Sequence, residues 1–125
     1  MIEHERGGAI VAVTSNAAFV GFPNLAAYGA TKAGVAQMVR TLAVEWAPYR
    51  IRVNAVAPGH MAHAMRHASF EREDPRVRDE IEKTTPLRRT GRDDELAGPV
   101  VFLASDAASF ITGVVLPVDG GYVAA

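Results

Sequence analysis

Residues 9–13 (AIVAV) make an uninterrupted apolar run between Gly8 and Thr14-Ser15, and this run is the strongest indication of the fold class. A strand that faces water on one side alternates apolar and polar residues, and this run does not. It therefore predicts a strand buried on both faces, as in a parallel sheet covered by helices. Two further apolar runs, residues 51–57 (IRVNAVA) and 114–118 (VVLPV), predict two more strands.

Helix-sized segments separate the three predicted strands. Residues 25–47 predict a long helix with one apolar stripe, which is made of Val35, Met38, Val39, Leu42 and Trp46. Asn24 is its expected N-cap and Pro48 its expected stop. Residues 93–105 predict a second helix, whose acidic first turn suits the helix dipole although Pro99 lies inside it. Strands that alternate with helices predict an α/β fold with a parallel sheet.

Residues 60–86 differ from the rest of the chain because they are rich in charge and weakly periodic. We expect a lid that carries one or two short helices. His60, His63 and His67 lie in this segment at spacings that could place three imidazoles on one helical face, as in a metal site. The alternative is a set of solvated lid histidines, which we favour because no carboxylate is obviously paired with them. The acidic and basic cluster of residues 71–80 predicts a solvated surface.

Composition narrows the possible functions. The 125 residues have the length of one domain, and 49% of them are hydrophobic, which is ordinary globular usage. The formal net charge is −1, so nothing favours nucleic acid or an anionic membrane as a partner. The chain has no cysteine, which excludes disulfides and thiolate sites within it and fits a cytoplasmic protein. No apolar stretch approaches the length of about 18 residues that a membrane span needs.

Three side chains suggest chemistry. Tyr28 and Lys32 stand four residues apart near the start of the long helix, which places them on one face. A lysine ammonium beside a phenol favours the phenolate form, so such a tyrosine suits acid–base work. Ser15 follows the first strand, and ligands of open α/β sheets bind beyond the carboxyl ends of strands. Each feature alone is common: Tyr and Lys at this spacing are usually not catalytic, and a serine after a strand is usually a cap.

The ordered set of segments resembles the short-chain dehydrogenase/reductase family. Residues 7–18 (GGAIVAVTSNAA) look like its central strand and serine loop, and residues 26–35 (AAYGATKAGV) look like its tyrosine-lysine helix. Residues 51–59 (IRVNAVAPG) are similar to its next strand and turn, and residues 86–121 match its carboxyl-terminal stretch. The resemblance implies that residues 1–125 are the carboxyl-terminal portion of one Rossmann domain with an incomplete parallel sheet.

The same resemblance implies roles for single residues. Tyr28 would be the acid–base residue, Lys32 would favour its phenolate and hold the nicotinamide ribose, and Ser15 would orient the carbonyl or hydroxyl of the substrate. The nicotinamide pocket would be lined by Pro58, Gly59, Met61 and His63, the last of which stands where the family usually has threonine. The implied reaction is hydride transfer between NAD or NADP and a small carbonyl or alcohol substrate. The chain itself has no counterpart of the family's glycine-rich turn or catalytic asparagine, so we expect it to bind NAD(P)H weakly or not at all on its own.

Assembly offers the alternative to catalysis. The resemblance implies a homo-oligomer that forms through the helix of residues 25–47 and the strand of residues 114–118. A chain that kept only those surfaces would be a non-catalytic association module. We favour the enzyme interpretation, in which the shape of residues 60–86 selects the substrate.

Overall fold

Three parallel strands pair in the order in which they occur along the chain. The computed structural model describes residues 1–2, 6–62 and 75–125. Strand β1 (Gly8–Val13) pairs with β2 (Ile51–Pro58), and β2 pairs with β3 (Val115–Val118). The register aligns Val11 with Asn54 on one side and Ala55 with Val115 on the other. The predicted α/β class and the incomplete, Rossmann-like parallel sheet are thus confirmed.

Strand β2 is the centre of the fold. Val53 is 1% exposed, and Ala55, Val56 and Ala57 are fully buried. Alternate residues of a strand face opposite sides of the sheet, so burial of consecutive residues means that both faces are covered. One face packs on the long helix α1 (Ala26–Trp46) through Val39 and Ala43. The other lies against helix α3 (Asp93–Ala104), whose Leu103 is 1% exposed.

Strand β1 differs from the sequence prediction. It was expected to be buried on both faces, but its first five residues are only half-buried and Val13 is 53% exposed. The reason is its position, because within the described part of the chain β1 has only β2 as a neighbour. Apolar composition indicates that a strand can be buried, and the neighbours of the strand decide whether it is.

Helix α1 has the predicted length, but its buried side and its N-cap differ from the prediction. The side chains that it buries are Ala36, Val39 and Ala43, whereas Met38 of the predicted stripe is 50% exposed. Small residues let the helix approach β2 closely, which turns Met38 to the outside. Asn24 is not the N-cap: it adopts a left-handed conformation with φ 64°, and Leu25 takes the cap position without a side-chain bond.

Helix α1 ends before Pro48, as predicted. Residues 47–49 tighten into a turn of 3-10 helix, and the left-handed Arg50 directs the chain into β2.

The predicted lid segment contains one helix, α2 (Pro75–Thr84), in its described part. Residues 63–74 of the predicted lid lie outside the described residues. Among the helices of the described ranges, none is both long and apolar enough to cross a membrane.

Candidate active site

Ser15 follows β1 and is held in place by hydrogen bonds to the next two residues, Asn16 and Ala17. The Ser15 hydroxyl accepts a hydrogen bond from the Ala17 N–H (3.2 Å) and caps a turn of 3-10 helix over residues 16–18. The same hydroxyl donates to Asn16 Oδ1 at 3.2 Å. Ser15 is only 8% exposed, so its hydroxyl is fixed by protein groups rather than by bulk water.

Thr14 connects this segment to helix α1. Its backbone N–H donates to the Val56 carbonyl (2.9 Å), which extends the pairing of β1 with β2 by one residue. Its side-chain hydroxyl donates to the Lys32 carbonyl at 2.7 Å. The bond joins two residues 18 positions apart and is part-buried, so it fixes the start of the serine segment against the helix turn that carries Lys32.

Tyr28 and Lys32 lie on one face of the first two turns of α1, as their spacing predicts. The Lys32 ammonium nitrogen is 5.6 Å from the centre of the Tyr28 ring, within the range of a cation–π contact. Tyr28 is 45% exposed, and its ring is therefore accessible to a ligand. The pair presents a phenol and an ammonium, which are two hydrogen-bond donors, to the same side of the helix.

The turn after β2 supplies another wall of the site. The Gly59 N–H donates to the Val118 carbonyl (3.1 Å), so the turn is fixed to the end of β3. A Cβ atom at Gly59 would lie 2.7 Å from the Asp119 Cβ, which explains why glycine follows Pro58 here. Met61 is 6% exposed and pairs with Gly91 in an isolated parallel bridge.

These segments enclose one groove of about 580 Å³ at the carboxyl ends of β1 and β2. It brings together six of the residues predicted as site residues, namely Ser15, Tyr28, Lys32, Pro58, Gly59 and Met61. It is also lined by Val13, Thr14, Asp93 and Leu96, which the sequence did not single out. The seventh predicted residue, His63, lies outside the described residues. Carboxyl ends of parallel strands are where open α/β sheets bind ligands.

His60 stands beside this groove rather than in it. Its ring contacts Phe22 and Tyr122, with ring centres 6.2 and 5.5 Å away. Burial in this aromatic cluster lowers the pKa of His60 below its usual value, because the charged imidazolium would lose water. In the described ranges, no three histidine, cysteine or acidic side chains are grouped to hold a metal ion. The proposed metal alternative also needs His63 and His67, which lie outside those ranges.

The sequence did not predict four lining residues of the groove as site residues, nor the buried Asn16 beside Ser15, and two of these five need an explanation. Thr14 acts through a bond to a residue 18 positions away, which no local pattern shows. Asn16 is 5% exposed and directly follows Ser15. A buried asparagine next to a candidate catalytic residue would indicate that it belongs to the site, but the sequence does not show that Asn16 is buried.

The sequence is similar to those of known dehydrogenases and reductases. A family model described as enoyl-(acyl carrier protein) reductase matches residues 2–123. An L-rhamnose 1-dehydrogenase (NAD(P)(+)) from Azotobacter vinelandii is 45% identical over 97% of this chain and 46% of its own length. The chain thus spans about half the length of the curated relatives that it matches.

Solved structures of dehydrogenases superpose closely on this chain. A gluconate 5-dehydrogenase from Burkholderia cenocepacia, in complex with NADP and tartrate, superposes with a TM-score of 0.92 and 35% identity over 99% of this chain and 48% of its own. A short chain dehydrogenase family protein from Francisella tularensis gives a TM-score of 0.85 and 36% identity over 95% of this chain and 52% of its own.

Proposed function

Because this chain belongs to the short-chain dehydrogenase/reductase family, we propose that it carries the catalytic site of an NAD(P)-dependent oxidoreductase. The reaction that we propose is the interconversion of a secondary alcohol and a carbonyl in a small molecule. The observation that carries the proposal is the single groove that unites Ser15, Tyr28 and Lys32 with the turn at Pro58 and Gly59.

The donor set of the groove fits a nicotinamide nucleoside. The Lys32 ammonium and the Tyr28 phenol can both donate to ribose hydroxyls, and Pro58, Gly59 and Met61 offer an apolar wall to the planar ring. His63 is part of the same proposal, as a residue that contacts the cofactor. A bound nicotinamide would supply the hydride acceptor in oxidation and the hydride donor in reduction.

The chain's own residues manage the proton. In alcohol oxidation the substrate hydroxyl gives its proton to the Tyr28 phenolate oxygen as the hydride leaves the carbon. In carbonyl reduction Tyr28 returns that proton to the oxygen. The Lys32 ammonium nitrogen, 5.6 Å from the ring centre, places a positive charge and a hydrogen-bond donor beside the phenol that exchanges the proton. Ser15 binds the same substrate oxygen and orients it towards Tyr28.

A gain-of-activity experiment tests the proposal. In this experiment the chain is fused to the part of the Burkholderia cenocepacia gluconate 5-dehydrogenase that has no counterpart in the chain. The resulting fusion protein is the completed enzyme. Reduced nicotinamide is followed by absorbance with NADP or NAD and with gluconate or L-rhamnose as the alcohol. We expect cofactor reduction that needs both the alcohol and this chain. A folded completed enzyme that binds NADP but reduces neither cofactor with either alcohol would contradict the proposal.

A second candidate function, self-association, is favoured by exposed apolar side chains on helices α1 and α3 and on the turn that follows α3. Val44 is 77% exposed, Val101 67%, and Phe110 is fully exposed. We propose that the protein is a homo-oligomer that associates through helix α1 and the strand of residues 114–118. We also propose that it works in the cytoplasm, which the absence of cysteine fits.

A further inference from the structure

Three aromatic side chains from distant parts of the chain meet beside the groove. Phe22 lies in the loop before α1, His60 in the turn after β2, and Tyr122 in the turn after β3. The rings of Phe22 and Tyr122 stack, with centres 5.5 Å apart and planes at 21°. The His60 ring stands edge-on to both of them. We call these three residues the aromatic cluster.

The aromatic cluster adjoins two walls of the groove. His60 stands in the chain between Gly59 and Met61, and both of these residues line the groove. The Phe22 carbonyl accepts a hydrogen bond from the Leu25 N–H (3.2 Å), in a tight turn that leads directly into α1. The first turn of α1 carries the proposed acid–base residue. A molecule bound there has the aromatic cluster next to it.

The turn after β3 is built to place the ring of Tyr122. Gly120 and Gly121 have φ of 67° and 89°, in the left-handed region that favours glycine. The Asp119 carboxylate accepts hydrogen bonds from the N–H groups of Gly121 (2.9 Å) and Val123 (3.0 Å). The chain is thereby folded back, and Tyr122 is held over the rest of the aromatic cluster.

The aromatic cluster presents an uncharged apolar surface. Its three rings are only half-buried, so part of their surface is open to a ligand. Burial lowers the pKa of His60 below its usual value, so this imidazole is neutral near pH 7. Aromatic rings bury a large apolar area when a flat apolar face packs on them. A cyclic molecule is already rigid, so it loses less conformational freedom on packing there than an open chain does.

We propose that the aromatic cluster selects the substrate: the groove takes a cyclic secondary alcohol or the matching cyclic ketone, whose ring packs on Phe22 and Tyr122 while its oxygen binds Ser15 and Tyr28. The polar end of such a substrate meets the polar side chains of the groove, and its apolar face meets the aromatic cluster. This inference rests on the proposed function, because it names the substrate class of the same site.

The test compares cyclohexanone with 2-hexanone, a ring and an open chain with equal numbers of carbon atoms, in the completed enzyme with NADPH. We expect wild type to have the higher kcat/KM for cyclohexanone. Tyr122→Leu removes one stacked ring and should lower the ratio of the two kcat/KM values about three- to tenfold, the worth of packing one apolar ring face. Intrinsic differences in reactivity between the ketones cancel when this ratio is compared between variants.

Two further variants separate the ring from other effects. Tyr122→Phe keeps the ring and should hold the ratio within about twofold of wild type. Tyr49→Leu changes an exposed tyrosine outside the aromatic cluster and should leave the ratio as it is. Phe22→Leu removes the other stacked ring without touching the turn after β3, and it should act like Tyr122→Leu. An unchanged ratio in active Tyr122→Leu and Phe22→Leu enzymes would overturn the inference while the proposed function stands.

Ligand-observed NMR of the 125-residue chain covers the case in which the completed enzyme is inactive. Saturation of the aromatic protons of the protein should transfer to the protons of added cyclohexanone. We expect this transfer to weaken in Tyr122→Leu and in Phe22→Leu, and to persist in Tyr49→Leu. No transfer in wild type, or equal transfer in all four chains, refutes the inference.

Discussion

At the scale of single residues, the Thr14 hydroxyl makes a hydrogen bond that joins the serine segment to helix α1. Thr14→Val keeps the shape of the side chain and removes its bond to the Lys32 carbonyl. We expect the free energy of unfolding to fall by about 1 kcal/mol, the net worth of one hydrogen bond, in urea denaturation of the chain. In the completed enzyme we expect kcat to fall as well, because Ser15 and Lys32 lose their mutual alignment.

Thr31→Val is the matched control for this prediction. Thr31 also donates to a backbone carbonyl, that of Ala27 at 2.9 Å, but this bond is exposed and lies within the helix. It should change stability and kcat little. Equal effects of the two substitutions would show that the bond between segments has no special role.

The sequence predicts those groove residues that belong to a short, recognisable pattern along the chain. The spacing of Tyr28 and Lys32 on one helix, the position of Ser15 after a strand and the turn at Pro58 all survive in three dimensions. The contributions of Thr14 and Asn16 were not predictable, because each depends on burial or on a partner that only folding brings near. The catalytic roles of Ser15, Tyr28 and Lys32 are proposals.

At the scale of elements, Arg52 connects the central strand to the carboxyl end of helix α3. Its guanidinium donates to the carbonyls of Leu103 (2.8 Å) and Ser105 (3.0 Å). Helix ends leave carbonyls unpaired and carry partial negative charge, so a cation here stabilises α3 in two ways. We expect Arg52→Met to lower the free energy of unfolding by about 2 kcal/mol, with partial recovery in Arg52→Lys. Urea denaturation measures both, and a change below about 0.5 kcal/mol in Arg52→Met would contradict this account.

The amino-terminal end of α3 predicts a pH dependence. Glu95 accepts a 2.7 Å hydrogen bond from Arg89 and another from the Arg92 N–H (2.8 Å), and these lower its pKa from 4.5 to about 2. A depressed carboxyl pKa contributes stability that is present above the unfolded value and is lost as the pH falls towards the folded one. The contribution of Glu95 should therefore disappear between about pH 4.5 and pH 2.

Thermal unfolding of wild type and Glu95→Gln across this range measures the contribution. The difference in Tm should be largest above pH 5 and should be mostly lost by about pH 2, where the carboxyl is neutral in the unfolded chain and half protonated in the folded one. Glu45→Gln, at an exposed position of α1, is the control and should show a smaller dependence. A Tm difference that does not vary with pH would show that Glu95 acts through packing rather than charge.

The positions of the strands and helices could be predicted from the hydrophobic pattern, but the side that helix α1 turns towards the sheet could not. All three strands and both main helices lie where apolar runs and helical spacing place them. The exposed side of α1 could not be read from the pattern, because Met38 and Val39 are both apolar and only the close approach of Ala36 and Ala43 to the sheet separates them. Asn24 suits a left-handed turn as well as an N-cap, and the fold uses it for the former.

At the scale of the whole molecule, the outer edge of β1 predicts self-association of the 125-residue chain. Within the described residues β1 pairs on one side only, and its residues 9–13 are apolar, uncharged and free of proline. Such edges pair with other chains. We expect light scattering coupled to size exclusion to show oligomers at tens of micromolar, and we expect Val11→Lys to reduce them.

Val44→Lys places the same charge on the exposed side of α1 and separates the two candidate surfaces. If it abolishes association while Val11→Lys has no effect, the helix and not the strand edge is responsible. A monodisperse wild-type monomer would contradict both.

The proposed function depends above all on Tyr28 as the residue that transfers the proton in the groove. Its sharpest test is the kcat of the completed enzyme with Tyr28→Phe, which removes one oxygen atom, compared with that of Tyr49→Phe. The two tyrosines are 45% and 47% exposed, and only the first lines the groove. We expect Tyr28→Phe to lower kcat by about two to four orders of magnitude, the usual worth of general acid–base catalysis, and Tyr49→Phe to leave it unchanged. A Tyr28→Phe enzyme that works at the wild-type rate would show that the proton moves elsewhere and that this assignment of the site is wrong.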